Sequence, residues 1–273
     1  MAYKTILLHL DSSDRCRARV EQGCAVAVAY DAHLVGLAVV PPLNIPGTSP
    51  AEMVVDMLSE QWELDRGARA AVAEEFVAKA RASGVSKVES RFVVGFPENE
   101  VALHGRYADL IVVGQASPKE GGIAQSLVLN AGRPVLIVPR DYEPRRVGEH
   151  VLVAWNASRE ATRALTDALP ILSRASQVDV LTVNAEPRRE GHGELPGADI
   201  ALYLTRHGVR ANVLQTSGDD IDVGEWLLSR AADLASDLVV MGAYGHSRLR
   251  ELVLGGATRT VLESMTVPVL MSH

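Results

Sequence analysis

This sequence predicts an α/β fold built twice in one chain. Short Val/Ile/Leu-rich runs alternate with helical stretches, the strand-like runs are apolar along nearly their whole length, and three segments recur at similar separations. Near-continuous apolar strands alternating with helices indicate parallel sheets covered by helices on both faces. Recurrence over so long a distance marks duplication of a whole domain, not a solenoid, whose units run roughly 20–50 residues.

The recurring segments are explicit. Ile6-Leu-Leu-His-Leu-Asp11-Ser-Ser13 answers Val151-Leu-Val-Ala-Trp-Asn156-Ala-Ser158 at an offset of 145. Ala108-Asp-Leu-Ile-Val-Val-Gly114 answers Ser236-Asp-Leu-Val-Val-Met-Gly242 at 128, and Arg133-Pro-Val-Leu-Ile-Val-Pro139 answers Val267-Pro-Val-Leu-Met-Ser-His273 at 134. The domains are therefore read as 1–140 and 148–273, joined by the polar, Pro-containing stretch from Arg140 to His150. The falling offset gives the first half 17 more residues between its first and fourth strands, and a loop from Pro41-Pro42 to Pro50 with a long helical pattern over 51–83 absorbs them. The second half has six more residues between Gly242 and its last strand, all in a glycine-bearing loop.

Taken in order, the first half reads as strands near 4–10, 33–40, 87–94, 109–114 and 134–138. The second reads as strands near 151–155, 177–184, 210–215, 237–242 and 267–271, with helices over 159–173, 196–208, 220–234 and 256–264. In the long first-half helix, Met53, Val54, Met57, Leu58, Leu64, Ala68, Ala71, Val72 and Phe76 recur at threes and fours, which predicts a core-facing stripe. Ligands of such sheets bind beyond the carboxyl ends of the strands, where strand order reverses.

Composition narrows the function classes. The chain has 273 residues, 47 % hydrophobic and 22 % charged, with a net charge of −7 and a pI near 5.6. An acidic balance argues against a nucleic-acid partner. No apolar run reaches the ~18–20 residues of a membrane span, and the first residues read as a strand without signal-peptide features. A cytoplasmic protein is expected. Cys16 and Cys24 lie eight apart in a helical pattern, about 12 Å along the axis, too far for a disulfide. His192 and Glu194 lack further clustered ligands, so no metal is expected.

Chemistry concentrates in Gly242-Ala-Tyr-Gly245, nine residues, then Gly255-Gly256-Ala257-Thr258, directly after a strand. Two glycines three apart let the backbone turn off a strand end and approach a ligand closely. The second cluster opens a helix, whose N-terminal N–H groups suit a phosphate. His246, Arg248 and Arg250 lie in the same loop.

That spacing, the text from Met241 to Arg259 and the closing strand Val267-Pro-Val-Leu270 resemble the nucleotide loop of the universal stress protein family. With the repeat, the resemblance extends over nearly the whole chain as a tandem two-domain member. It implies doubly wound, Rossmann-like domains, each with five parallel strands in the order 3-2-1-4-5. It also implies an ATP ligand, with or without Mg²⁺, and pairing of domains through their last strands. The chain would then be an intramolecular pseudo-dimer, with a homodimer of chains left open. Carried over by position, Gly242, Gly245 and His246 shape the first part of the loop. Gly255, Gly256, Ala257 and Thr258 hold phosphates through backbone N–H groups and the Thr hydroxyl. Val183 offers backbone groups to the adenine edge, and Ala154 lies beneath the base. Two departures weaken the match: Gly256 stands where the family has a hydroxyl residue, and Asn156 where it commonly has Asp.

The first half departs further. Ser117 holds the place of the second glycine and the loop is six residues shorter, although Asp11 is kept and Gly121-Gly122 precedes a short helix. A structural or dimerising first half is expected. The leading reading is a stress-response ATP-binding module with its nucleotide in the second half. A slow ATP hydrolase and a structural tandem that binds no nucleotide are the alternatives. No Walker-type lysine or water-activating base accompanies Gly255-Gly256, and no Gly-x-Ser-x-Gly elbow is present.

Overall fold

Along the first strand, β1 (Thr5–Leu10), Ile6, Leu8 and Leu10 point to one face of the sheet and Leu7 to the other, all buried. A strand buried on both sides requires helices on both sides, and the chain supplies them. After β1 come α1 (Cys16–Tyr30), β2 (His33–Val40), α2 (Glu52–Ala82), β3 (Lys87–Val94), α3 (Pro97–Gly105), β4 (Leu110–Gly114), α4 (Ala124–Asn130) and β5 (Val135–Val138). The second half runs β6 (His150–Ala154), α5 (Arg159–Leu172), β7 (Gln177–Val183), α6 (Ala198–Arg206), β8 (Ala211–Thr216), α7 (Val223–Asp233), β9 (Leu238–Gly242), α8 (Gly256–Ser264) and β10 (Val269–Ser272). This computed structural model describes residues 2–44, 52–116, 122–183, 197–217, 222–244 and 256–273.

The strands form one 10-stranded sheet in the order β3-β2-β1-β4-β5-β10-β9-β6-β7-β8. Each half therefore has the expected 3-2-1-4-5 order, parallel throughout. The seam is the pair β5–β10, which is antiparallel, with Val269 opposite Ile137, Leu270 opposite Leu136 and Met271 opposite Val135. An antiparallel seam makes the strands of the two halves run in opposite directions, so their carboxyl edges lie at opposite ends of the sheet.

Two apolar layers cover the faces and both continue across the seam. One joins α1, α2, α5 and α6 to the sheet through residues such as Val20, Phe76, Leu165 and Leu204. The other joins α3, α4, α7 and α8 through Val101, Leu127, Leu227 and Val261. Polar contacts tie the halves as well. Tyr3 Oη donates to the Asp167 carbonyl at 2.8 Å and Tyr30 Oη to the Pro170 carbonyl at 3.2 Å. Gln115 Nε2 donates to the carbonyls of Leu262 and Glu263, near the end of α8, at 2.9 and 3.0 Å. Cys16 and Cys24 are both buried and unpaired in α1. Burial pushes the Cys24 thiol up to about 11, which leaves it a packing residue.

The long helix α2 corrects one expectation. Its core-facing residues are Ala73, Phe76 and Ala80, with Val72 and Val77 packed beside them. Val54, Met57 and Leu64, expected in the core, are 36 %, 60 % and 69 % exposed, Ala68 and Ala71 are exposed too, and the Met53 side chain lies outside the described residues. At 31 residues the helix is about 46 Å long, longer than the sheet edge it covers, so its first turns extend past the apolar layer. Trp62 pins this overhang by donating from Nε1 to the Pro41 carbonyl at 2.8 Å.

A repeated acid holds each half's first strand. Asp109 Oδ2 accepts from the backbone N–H groups of Lys4 and Thr5 at 2.7 and 2.9 Å. Its counterpart Asp237 accepts from those of Gly148, Glu149 and His150 at 2.6, 2.9 and 3.1 Å. Asp237→Ala strands three donors at the entrance to β6. Urea unfolding should show a loss of about 2–3 kcal/mol with the slope unchanged, and Asp237→Asn a smaller loss. A loss below about 0.5 kcal/mol would mean that water replaces the carboxylate without cost.

Candidate functional site

Both halves present the same turn at the carboxyl edge of their first strand. Asp11 Oδ1 accepts from the Ser13 N–H at 3.0 Å, and Asn156 Oδ1 from the Ser158 N–H at 3.1 Å. The register is also shared. Leu8 faces Val112 and Val153 faces Val240, while His9 pairs with Leu37 and Ala154 with Leu181. His9 is thus the positional equivalent of Ala154, and Val39 of Val183.

In the second half the structure brings Ala154, Asn156, Val183 and Gly242 to one edge, the ends of β6, β7 and β9 and the turn after β6. Gly242 has a packing reason of its own. A Cβ there would overlap the Glu160 carbonyl carbon and the Ala161 nitrogen, so the first turn of α5 reaches the strand only over a glycine. That turn is capped by Ser158 Oγ, which accepts from the Ala161 N–H at 3.1 Å. Gly256 and Ala257 open α8, and among the described residues nothing lies within 4 Å of where a Gly256 side chain would begin. Thr258 is only 4 % exposed, and its Oγ1 accepts from the Tyr244 N–H at 3.4 Å. Its hydroxyl therefore also steadies the backbone leaving β9. Gly245, His246, Arg248, Arg250 and Gly255 lie outside the described residues, as do His192 and Glu194. Among the described residues no group of His, Cys, Asp and Glu forms a metal cluster.

Two residues at this edge escaped the sequence reading. Tyr244 adopts φ 63°, and burial pushes its phenol up to about 12. Glu160 is buried beside Gly242, 3.4 Å from Arg159 Nη2. The periodicity of α5 marks Glu160 as an ordinary first-turn acid, and only the closeness of α5 to β9 buries it.

The first half is filled differently. Arg19, 3 % exposed, donates from Nε to the His9 carbonyl at 2.9 Å and sets Nη2 2.7 Å from Asp11 Oδ2. Its Nη1 occupies the space that a side chain on Gly114 would need. From α2, Arg69 Nη1 donates to the Val39 carbonyl at 3.2 Å. Above this layer lies a cavity of about 480 Å³ lined by His9, Asp11, Arg19, Gly114, Gln115 and Arg140 among others. Burial is the largest influence on His9 and, with Arg19 and Arg69, lowers it from 6.5 to about 3, against the opposing pull of Asp11. For Asp11, burial disfavours the charge, but Arg19 and the Ser13 bonds outweigh it and hold the carboxyl below its usual range.

A doubly wound parallel-sheet unit built twice, the two copies joined through their last strands, defines a tandem α/β protein. The sequence profile of the universal stress protein family matches residues 2–139 and 148–273, and the chain belongs to that family. It is 26 % identical over 181 residues to universal stress protein Slr1230 of Synechocystis sp., covering 59 % of this chain and 57 % of that protein. The chain thus matches little more than half the length of that relative. It is 27 % identical over 149 residues to universal stress protein MJ0531 of Methanocaldococcus jannaschii, covering 50 % of this chain and 83 % of that protein. A universal stress protein structure from Archaeoglobus fulgidus superposes with a TM-score of 0.74 at 21 % identity, covering 98 % of this chain and 95 % of the other. A putative universal stress protein from Pseudomonas aeruginosa gives 0.62 at 15 % identity, covering 99 % and 93 %. Those two likenesses concern the fold.

Two tests follow from this geometry. Gly242→Ala should cost about 1–3 kcal/mol through overlap with the α5 backbone. Gly256→Ala, at an open helix start, should be neutral or slightly stabilising. Equal effects in denaturant titrations would refute the packing assignment. The second test is acid stability. Folded His9 and Asp11 both bind protons less readily than in the unfolded chain, so their stabilisation is complete above the unfolded pKa values and is lost as pH falls. For His9 the window runs from 6.5 down to about 3. His9→Ala should flatten the decline of unfolding free energy between pH 6 and 4, whatever its constant offset. An unchanged slope would refute the His9 contribution.

Proposed function

We propose that the protein is a cytoplasmic stress-response module that binds ATP in its second half, while the first half takes no nucleotide. The observation that supports this most is the exchange at equivalent positions. Where the second half has Ala154 and Val183 at its strand ends, the first has the buried imidazole of His9 and a Val39 carbonyl already bonded to Arg69. A methyl group leaves room for a flat base to lie on the strand end, and an imidazole fills it. On this reading Asn156 accepts near the base or ribose, and Gly242, Gly245 and His246 shape the loop. Gly255, Gly256, Ala257 and Thr258 receive the phosphates, with Mg²⁺ as the ion that accompanies ATP. Membership in the universal stress protein family is consistent with the reading.

The test is direct. The purified protein is denatured, the released nucleotide is identified, and ATP with Mg²⁺ is titrated by calorimetry. Up to one ATP or ADP per chain is expected. Ala154→His, which installs the first half's residue in the second, should weaken ATP at least about tenfold, or 1.4 kcal/mol. Two nucleotides per chain would overturn the assignment of the first half, and none by either method would overturn ATP binding altogether.

A further inference from the structure

The first-half cavity has an unusual charge balance for an acidic chain with a net charge of −7. Four arginines, Arg15, Arg19, Arg69 and Arg140, come from three different parts of the chain to one strand edge. Two of them are matched: Arg19 by Asp11, and Arg15 by Asp141 at 2.5 Å. Arg69 and Arg140 have no carboxylate partner among the described residues and donate only to carbonyls, those of Val39 and Ala116. Among the described residues the Nε atoms of both are buried without a partner, and so is Nε2 of His9, a residue 6 % exposed.

The acids at the cavity do not cancel this. Asp11 is saturated by Arg19 and by the backbone N–H and hydroxyl of Ser13. Asp14 is exposed at the rim, where water solvates it. Gln115 is committed elsewhere, accepting from the Arg140 N–H at 2.9 Å and donating to the α8 carbonyls. Arg140, half-buried, lines the cavity of about 480 Å³ with no carboxylate partner among the described residues, and the buried Arg19 and His9 side chains form part of the same wall. Guanidinium groups pair best with carboxylate and phosphate oxygens, several at a time. The base end of the edge is closed by His9 and by Arg69 on the Val39 carbonyl.

We propose that this cavity is a site for a compact phosphate-class anion that carries no nucleobase, held chiefly by Arg140 with Arg19 and His9 beneath it. The inference is independent of whether the second half binds ATP, because it concerns the opposite end of the sheet.

Amide-resolved NMR of the isotope-labelled full chain tests it, with pyrophosphate as the anion and adenosine as the base without phosphate. Pyrophosphate should shift the amides of Asp11 to Arg15 and Gly114 to Ala116, and adenosine should leave them unmoved. Arg140→Ala should weaken pyrophosphate at these amides at least about tenfold, and Arg140→Lys should restore part of the loss. Shifts confined to Gly242–Tyr244 and Gly256–Thr258 would overturn the proposal, as would no shift up to ~10 mM, or a titration that Arg140→Ala leaves unchanged. The wild-type map decides the location even where Arg140→Ala fails to fold.

Discussion

Val269 against Ile137, Leu270 against Leu136 and Met271 against Val135 convert two five-stranded sheets into one. A parallel five-stranded sheet ends in two edges, and an apolar edge invites pairing with whatever strand arrives first. The outer edges are interrupted by polar residues, Lys87, Glu89 and Arg91 on β3 and Asn212 and Gln215 on β8. The inner edges, β5 and β10, are wholly buried. Joining the inner edges satisfies their backbone groups and leaves as free edges the two that carry charged and amide side chains. Both helix layers then run on across the seam, so neither half completes its apolar cover alone.

The same seam determines where function can reside. Because β5 and β10 run antiparallel, the two carboxyl edges open at opposite ends of the sheet, and each can change without disturbing the other. The chain has used that freedom. At the first edge His9 stands for Ala154 and Arg19 for Ala164, while the extra length of α2 delivers Arg69 to the Val39 carbonyl. Burying that much charge is tolerable only because Asp11 compensates Arg19 at 2.7 Å. The second edge keeps small residues and places glycine where α5 and β9 meet. One scaffold thus carries a cation-lined edge and an edge of small residues.

Much of the fold was legible in the chain. The strand runs, the offsets between repeats and the 17 additional residues around α2 are all written in one dimension, because strand burial and helix periodicity are local patterns. The placement of the candidate site was legible in part. Gly242, Ala154, Asn156 and Val183 do lie together at one sheet edge. The reason for Gly242 was not visible, since the approach of Glu160 and Ala161 is a contact between elements distant in sequence. The apolar stripe of α2 was misread for Val54, Met57, Leu64, Ala68 and Ala71 because periodicity shows which residues share a helix face, but not where the sheet beneath it ends.

By itself, then, the sequence determined a duplicated α/β chain, the order of its elements and the unequal loops after β4 and β9. Tertiary structure alone decided that His9, Arg19, Arg69 and Arg140 share one edge. Those four residues are separated by 10, 50 and 71 positions, and no local pattern relates them. Strand register and helix length bring them together, and burial then makes each charge and its partner consequential.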